Sequence, residues 1–340
     1  MTDLSFTLWN DLDRFERGDS NVRTGSYKGR QAAYLEQAGS AVFLSEDITF
    51  PCYRLQAEVA IPGEVGFVGL IFGAKDVTNY ELVYLAPIEI QYDPIMNGSM
   101  TWQIYNGTKY QKPLPNMTGK WVNFAVEVQP EGARVYMGEE TAPQLVIPNL
   151  QHGVPDGKIG FWGFAPCYIR NLTVEEIQPV PIPKIETDLK CLSADTVVTE
   201  WMVSASSGSD WRTAVVEENG VLNLNRCFTA KQTNVVQAKS IFHIPEEADS
   251  YITLGFSDQV RVWVNEEEIY QGTWCWKPPV SDGRIYSDYA RVPVQWRAGV
   301  NTIRAEVMNT EQFGWGLCVR TGLSNMEYIT EEAESMNANS

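Results

Sequence analysis

The feature that most constrains the fold of this chain is an alternation of apolar and polar side chains with a period of two residues. In residues 121–128 (WVNFAVEV), four apolar side chains at even positions share one face, whereas Asn123 and Glu127 share the other. The same alternation occurs in residues 54–61 and 260–265. This pattern is typical of strands that bury one face and expose the other to water.

Turn residues separate these runs, and helical periodicity longer than two turns occurs only near residues 324–335. The length of 340 residues exceeds one ordinary domain. Residues 176–186 (EIQPVPIPKIE) carry three prolines at alternate positions, which holds a chain extended and indicates a linker. The sequence therefore predicts an all-β fold with two β-sandwich (jelly-roll) domains in tandem: residues 1–178, a proline-rich linker at 179–187, residues 188–325, and a flexible tail at 326–340.

The charge balance favours some partners over others. Forty-three acidic residues against 26 basic residues give a net charge of -17. Such a surface repels phosphate backbones and anionic membranes, so we expect neither nucleic acid nor a membrane as partner. Polyuronates and sulfated glycans are disfavoured for the same reason, which leaves a neutral or cation-bridged sugar.

The first residues (MTDLSFTLW) lack the basic start and apolar stretch of a signal peptide, and no run of 18 apolar residues follows. A cytoplasmic location is therefore the expectation. Six cysteines without a close pair suit reduced thiols and argue against zinc.

The counts of metal-binding and cofactor-binding residues are also informative. Only two histidines occur, His152 and His243, which argues against a multi-histidine metal site. No phosphate-binding loop is present, so no nucleotide cofactor is expected. Calcium stays open, because the oxygen-rich turns at 76–79 and 282–288 offer hard ligands, although their spacing matches no defined loop.

The first half of the chain resembles the laminin-G/concanavalin A-like lectin jelly rolls over residues 25–175. The runs that carry the resemblance, in order, are residues 29–35 (GRQAAYL), 42–44 (VFL), 68–85 (VGLIFGAKDVTNYELVYL), 119–128 (GKWVNFAVEV) and 157–164 (GKIGFWGF). The third run is similar to the family's central hairpin, with its turn at 76–79.

The second half resembles galactose-binding-like β-sandwich modules of bacterial glycan-associated proteins over residues 188–323. The matching runs are residues 210–212 (DWR), 220–226 (GVLNLNR), 255–265 (GFSDQVRVWVN), 297–303 (RAGVNTI) and 313–316 (FGWG). In the third run, the alternation places Arg261, Trp263 and Asn265 on the outward face.

These resemblances imply carbohydrate recognition without deciding between binding and catalysis. The lectin-like folds include glycoside hydrolases and polysaccharide lyases as well as sugar binders. The hydrolase relatives carry a Glu-X-Asp-X-X-Glu strand motif, which this chain lacks. Its nearest approach is Glu89 and Asp93, four residues apart and followed by proline.

Eleven tryptophans and fifteen tyrosines could supply flat rings for a sugar to stack on, although sandwich cores also consume aromatics. In residues 99–107, Trp102 alternates with Gln103 and Tyr105, which are outward if Trp102 is core. Trp274 and Trp276 lie in a segment punctuated by glycine and proline. The predicted ligand-binding residues are Tyr84, Gln103, Tyr105, Arg261, Trp274 and Trp276.

The leading hypothesis is a non-catalytic protein that recognises a neutral glycan. The alternative is a glycoside hydrolase or lyase with a cleft between the sandwiches, for which Glu81, Asp258 and Glu311 are the candidate acids. A third alternative is a protein–protein assembly module that uses outward aromatic strips. Oligomerisation stays open.

Overall fold

The computed structural model describes residues 3–36, 39–185, 187–205, 210–230 and 234–329. Contacts divide the chain into two compact units. Unit 1 comprises Met1–Gly98 and Tyr105–Ile185, and unit 2 comprises Ser99–Ile104 and Glu186–Ser340. Six residues within the first half of the chain, Ser99–Ile104, therefore belong to unit 2.

Unit 1 is built from antiparallel strands with short connections. Its strands in chain order are β1 (Leu4–Phe6), β2 (Phe15–Glu16), β3 (Val22–Tyr27), β4 (Arg30–Leu35), β5 (Ser40–Leu44), β6 (Tyr53–Ala60), β7 (Phe67–Asp76), β8 (Asn79–Ala86), β9 (Glu89–Tyr92), β10 (Gln111–Pro113), β11 (Trp121–Gln129), β12 (Gly132–Met137), β13 (Leu145–Ile147), β14 (Lys158–Phe164) and β15 (Cys167–Glu176), with a 3-10 turn at Leu12–Arg14.

The strands of unit 1 form two sheets. Sheet I has the order β13-β12-β11-β6-β15-β4-β3, with β1 also paired to β15, and sheet II has the order β10-β9-β8-β7-β14-β5-β2. Phe15 of sheet II contacts both Phe6 of sheet I, at 5.3 Å between ring centroids, and Phe161 of sheet II, at 5.4 Å. The apolar core therefore lies between the two sheets, as in a β-sandwich.

The alternation predicted from the sequence is confirmed in sheet I. On β6, Leu55, Ala57 and Val59 are buried, whereas Gln56 and Glu58 are partly exposed. The predicted hairpin turn also occurs, since β7 ends at Asp76 and β8 begins at Asn79.

The proline-rich segment is held against unit 1 along part of its length. The guanidinium group of Arg134 donates to the carbonyl oxygens of Val180 and Pro181, at 2.8 and 3.1 Å. The amide of Val180 donates to Gln129 Oε1 at 2.9 Å, and Ile182 is buried. Residues 179–185 are therefore anchored, while residue 186 lies outside the described residues.

Unit 2 contains a short helix and a second set of antiparallel strands. These elements are α1 (Leu189–Ala194), β16 (Glu200–Ala205), β17 (Arg212–Val215), β18 (Leu222–Asn223), β19 (Val235–Ile244), β20 (Ala248–Ser257), β21 (Gln259–Val264), β22 (Glu267–Thr273), β23 (Trp276–Lys277), β24 (Ser281–Asp282), β25 (Ala290–Trp296), β26 (Gly299–Met308), β27 (Gly316–Arg320) and β28 (Glu327–Tyr328), with a 3-10 turn at Leu224–Arg226.

Two sheets enclose the core of unit 2. Sheet III has the order β17-β16-β19-β26-β21-β22, with β28 also paired to β19, and sheet IV has the order β18-β27-β20-β25. The core between them includes the fully buried rings of Trp201, Phe242, Phe256 and Trp315. The all-β fold class is thus confirmed, with a sandwich in each unit.

The segment Ser99–Ile104 is held in unit 2 through Gln103, whose side chain is fully buried. The Ser257 hydroxyl lies 2.7 Å from Gln103 Oε1 and 2.6 Å from Asp258 Oδ1. Gln103 Nε2 donates to Glu311 Oε2 at 3.2 Å, and Gln103 N donates to the Phe313 carbonyl oxygen. Residues 102–104 form a turn, so the strand suggested by the alternation around Trp102 is not seen.

The Asp258 carboxylate organises the residues around Gln103. Its Oδ2 atom accepts hydrogen bonds from the Thr310 amide (2.5 Å), the Thr310 hydroxyl (2.9 Å) and the Glu311 amide (2.9 Å). Asp258 is fully buried. A buried carboxylate with this many donors stabilises the turn that carries Glu311, because each bonded amide would otherwise lack a partner.

The end of the chain differs from the expected tail. Glu327 and Tyr328 pair with His243 and Phe242 of β19, and the Tyr328 hydroxyl accepts from the Thr199 amide at 2.8 Å. Flexibility from residue 326 is therefore not seen as far as residue 329. The rest of the tail, like most of the helix-period stretch at 324–335, lies outside the described residues.

All six cysteines are free thiols. No helix in the described part of the chain has the length and hydropathy needed to span a membrane.

We predict that Gly160→Ala destabilises unit 1. A Cβ atom at this position in β14 would lie 2.0 Å from the Val42 carbonyl oxygen, so β14 and β5 would have to separate. The free energy of unfolding should fall by about 1–3 kcal/mol or more, as for other overpacked sites. Denaturant unfolding would measure it, with Gly63→Ala as the control because a Cβ there meets nothing closer than 3.6 Å. Equal stability of the two variants would contradict the prediction.

We also predict that Asp258→Ala destabilises unit 2. Removal of the carboxylate leaves the amides of Thr310 and Glu311 without acceptors, which should lower the free energy of unfolding by about 2–4 kcal/mol. The exposed Asp249 on β20 is the matched control and should change stability by about 0.5 kcal/mol or less when replaced by Ala. Thermal unfolding monitored by tryptophan fluorescence would separate the two outcomes.

Candidate functional site

The outward face of sheet I carries a group of aromatic rings. On β6 the outward positions include Glu58 and Ala60, and the strand register places Trp121 and Tyr168 on either side of Ala60. The next strand places Tyr34 beside Tyr168. We call the four rings of Tyr27, Tyr34, Trp121 and Tyr168 the aromatic platform.

Small residues make room for the aromatic platform on the sheet surface. Ala60 is only 1% exposed because the neighbouring rings cover it. Gly25 lies opposite Ala32 on the adjacent strand, and a Cβ atom at Gly25 would be 3.0 Å from the Tyr34 Cβ atom and 3.5 Å from the Tyr168 ring. A larger residue at position 25 would therefore push these rings away from the sheet.

The rings of the platform contact one another and are partly exposed. Tyr27 and Tyr168 stack with centroids 5.0 Å apart and planes 16° apart, and Tyr34 lies 4.9 Å from Tyr168. Trp121 lies 6.2 Å from Tyr27 and donates its indole N–H to the Tyr27 carbonyl oxygen at 3.2 Å. These contacts hold the rings in place before any ligand arrives.

A cluster of charged and amide groups adjoins the rings, with Glu58 at its centre. Glu58 Oε1 accepts from Asn171 Nδ2 at 2.6 Å, and Glu58 Oε2 accepts from Arg30 Nη1 at 2.7 Å. Arg170 Nε lies 3.6 Å from Glu58 Oε1. We call Arg30, Glu58, Arg170 and Asn171 the Glu58 cluster.

The arginines connect the Glu58 cluster to the aromatic rings. The guanidinium carbon of Arg170 is 4.8 Å from the Trp9 ring centroid and 6.0 Å from that of Trp121, and that of Arg30 is 6.0 Å from Trp121. Arg170 Nε is buried and donates no hydrogen bond within the described residues. The face thus offers a partly exposed aromatic surface bordered by donors and an acceptor.

A signal for this site is present in the sequence, in the aromatic residues that share a strand face with polar residues. Trp121 shares the polar face of its strand with Asn123 and Glu127, and Tyr168 shares a face with Arg170. An aromatic residue on the polar side of an alternating strand is placed where the core does not need it. The register that brings these rings together was not readable from the sequence.

Three predicted ligand-binding residues are buried. Tyr84 is 3% exposed and stacks on Trp162 at 5.5 Å, and Gln103 and Tyr105 are fully buried. The outward orientation expected for Gln103 and Tyr105 is not seen. None of the three offers ring or amide surface to solvent.

The predicted residues of unit 2 differ in accessibility. Trp274 is partly buried, donates its indole N–H to the Arg284 carbonyl oxygen at 2.9 Å and packs 4.5 Å from the Tyr289 ring. Trp276 is 38% exposed and contacts the Phe313 ring edge-on at 5.8 Å. Arg261 is exposed and forms ion pairs with two glutamates of sheet III.

Two of the candidate catalytic acids lie in unit 2 and come together. Carboxylate oxygens of Asp258 and Glu311 lie within 4.8 Å of each other and of Cys275 Sγ. Glu311 accepts from the Trp276 amide at 2.8 Å, and burial, followed by the nearby Asp258, raises the pKa of Glu311. Because Asp258 is already surrounded by donors, this cluster is a hydrogen-bonded turn, and a metal ion would have to displace those bonds.

The third candidate acid, Glu81, lies inside unit 1. It is 1% exposed, accepts from the Tyr92 hydroxyl at 2.5 Å and accepts from the His152 amide at 2.7 Å. Burial, and then the Glu81 charge, raises the pKa of Tyr92 well above its usual value. Glu81 is therefore far less accessible than a catalytic acid needs to be.

The two turns considered for calcium have internal partners for their carboxylates. Asp76 Oδ1 accepts from the Thr78 amide and hydroxyl at 2.7 and 2.6 Å. Asp282 Oδ2 accepts from the Tyr286 hydroxyl at 2.7 Å, and burial together with this bond raises the pKa of Tyr286 to about 12. In both turns, these internal hydrogen bonds occupy carboxylate oxygens that a calcium ion would need as ligands.

A scan against models of known protein families finds no match, and a search of curated proteins finds none. Several solved structures are similar in structure to about half of the chain.

A carbohydrate-binding module, CBM66 from Bacillus subtilis, is 16% identical, covers 48% of this chain and 95% of its own, and has a TM-score of 0.37. A putative glycosyl hydrolase from Parabacteroides distasonis is 13% identical over 51% of this chain and 94% of its own, with a TM-score of 0.36. The exoplasmic/lumenal domain of VIP36, in its Ca2+/Man3GlcNAc-bound form, is 11% identical over 54% of this chain and 95% of its own, with a TM-score of 0.37.

Proposed function

We propose that this protein recognises carbohydrate and that the aromatic platform of unit 1 is its binding site. The observation that carries the proposal is the set of four contacting, partly exposed rings on the outward face of sheet I, beside the Glu58 cluster. Aromatic rings on the outward, polar face of a sheet contribute little to the apolar core. Their presence on this face therefore favours a role in binding.

The chemistry of the platform matches that of a sugar. A pyranose has an apolar C–H face, which packs on flat rings, and a rim of hydroxyl groups that both donate and accept hydrogen bonds. Glu58 can accept from such hydroxyls, whereas Asn171 and the two arginines can donate. Because ring contacts and ion pairs already fix these side chains, little conformational entropy would be lost on binding.

The charge distribution favours a neutral sugar at this site. Arg30 and Arg170 are already ion-paired with Glu58, so neither guanidinium group is left to bind a uronate carboxylate or a sulfate, and the overall charge of -17 repels such anions. We therefore assign a neutral glycan to the platform.

Binding without hydrolysis is the form of the proposal that the site supports best. Glycoside hydrolysis uses two carboxyl groups on either side of the scissile bond. Glu81 and Asp258 are buried and hydrogen-bonded, and the Glu58 carboxylate is held by Arg30 and Asn171. The Glu58 cluster therefore contains a single carboxylate beside the platform, whereas hydrolysis needs a pair.

We predict that Trp121→Ala and Tyr168→Ala each weaken binding of a neutral oligosaccharide at least tenfold, about 1.4 kcal/mol, through loss of stacking surface. A neutral glycan array would identify the ligand, and isothermal titration calorimetry would measure the affinity. Tyr251→Ala, which removes a 49% exposed ring of unit 2, is the control and should leave affinity within twofold. A loss in Trp276→Ala without a loss in Trp121→Ala would refute the platform, and release of reducing ends from the bound glycan would refute binding without hydrolysis.

We further predict that Glu58→Gln weakens binding of the same glycan about tenfold, because Arg30 and Arg170 would lose the carboxylate that orients them. Stability should change by about 1 kcal/mol or less, since these ion pairs are partly exposed. Glu127→Gln is the matched control: Glu127 pairs with Arg54 on the same sheet face and bonds the Tyr136 hydroxyl. Equal effects of the two substitutions on affinity would show that the Glu58 cluster does not contact the sugar.

A further inference from the structure

The outward face of sheet III in unit 2 carries two arginines whose surroundings differ. Arg261 pairs with Glu268 and, at 3.7 Å, with Glu306. Arg304 makes neither an ion pair nor a side-chain hydrogen bond with any described residue. In a chain with 43 acidic residues, a partly buried arginine without a carboxylate partner is available for a ligand.

Both arginines lie against the same tryptophan. The register pairs Arg304 with Trp263 across β26 and β21, and the guanidinium carbons of Arg304 and Arg261 are 4.0 and 4.7 Å from the Trp263 ring centroid. Trp263 is only 7% exposed, although it occupies an outward position on its strand. Stacking on the ring orients the guanidinium of Arg304 while its in-plane N–H groups stay able to donate.

A cavity of about 560 Å³ opens beside Arg304. Six residues line it: Trp263, Asn265, Glu266, Arg297, Thr302 and Arg304. Arg297 also makes no ion pair with any residue that the structure describes. Glu266 is the one acid among the six, so two guanidinium groups outnumber it.

The wall of this cavity is a fixed hairpin turn. Asn265 and Glu266 both have positive φ, of 48° and 76°, between β21 and β22. Asn265 Oδ1 accepts from the Thr302 amide at 3.0 Å, and Asn265 Nδ2 donates to Asn301 Oδ1 at 2.7 Å. These bonds hold the turn against β26, so the cavity exists without a ligand.

The strand register places a further cation next to Arg304. Lys239 of β19 is paired directly with Arg304, and its ammonium group is 4.3 Å from the Trp211 ring centroid. Like charges opposite each other across strands cost stability. The register thus places two cationic side chains next to each other on sheet III.

We propose that this cavity binds an oxyanion, either a carboxylate or a sulfate group carried by a sugar, with Arg304 and Arg297 as the donors. Guanidinium groups match both anions because their N–H groups form parallel, charge-assisted hydrogen bonds to two oxygens. This site goes beyond the neutral-sugar platform of unit 1, because it lies wholly in unit 2 and takes a different chemical group.

The test uses the full chain with three small probes at constant ionic strength: sodium glucuronate, glucose 6-sulfate and glucose. Tryptophan indole N–H signals in two-dimensional NMR spectra would report binding, since Trp263 lines the cavity. Both anions, or one of them, should shift the Trp263 signal in a saturable manner, and glucose should not. The anion that binds more tightly identifies the source of the oxyanion.

Variants assign the donors. Arg304→Gln and Arg297→Gln should each weaken binding of the preferred anion at least fivefold. The affinity of Arg304→Lys should lie between those of the wild type and Arg304→Gln, because lysine keeps the positive charge but lacks the paired N–H donors of a guanidinium group. Arg261→Gln is the matched control, as Arg261 contacts the same ring but is already ion-paired, and it should change affinity less than twofold.

Three results would overturn the proposal: no shift with either anion, an equal shift with glucose, or equal losses in Arg261→Gln and Arg304→Gln. These probes do not need the platform, so Trp121→Ala should bind them as the wild type does. Failure of the platform proposal and failure of this one are thereby distinguishable.

Discussion

The burial of one face of each strand in sheet I is the constraint on which the rest of unit 1 depends. Because side chains alternate with a period of two, inward Leu55, Ala57 and Val59 fix the outward positions of Glu58 and Ala60. A slip of one residue would exchange the two faces and place Glu58 in the core. The candidate binding face is thus a consequence of the apolar packing behind it.

The outward face is organised by size as well as by polarity. Alanine and glycine beneath the rings allow Tyr27, Tyr34 and Tyr168 to lie close to the sheet, where Tyr168 stacks on Tyr27 and lies at a tilt against Tyr34. The Glu58 cluster then borders the rings with paired charges. One rigid surface therefore provides both apolar contact area and hydrogen-bonding groups. A ligand with an apolar C–H face and many hydroxyl groups requires both.

In unit 2, the ion pairs and hydrogen bonds of a charged side chain decide whether it is available to a ligand. Arg261 and Arg304 contact the same Trp263 ring, yet glutamates neutralise the first and leave the second accessible. In the same unit, the Asp258 carboxylate accepts hydrogen bonds from the amides of Thr310 and Glu311. Residue type alone would have assigned similar roles to the two arginines and a catalytic role to the acid.

The sequence by itself determined the all-β class, the hairpin turn at 76–79 and the buried face of alternating strands such as β6, because alternation is a local property that survives in the folded chain. Around Trp102, the same alternation suggested a strand that the fold does not form. The tertiary structure decided which outward residues became neighbours: Trp121 and Tyr168 meet across β6, Tyr84 is buried, and Gln103 belongs to unit 2. Strand order joins residues far apart in the chain, and a period of two gives the face of a residue without giving its neighbours. The sequence therefore supplied the polar and apolar faces, and only the fold assembled the sites upon them.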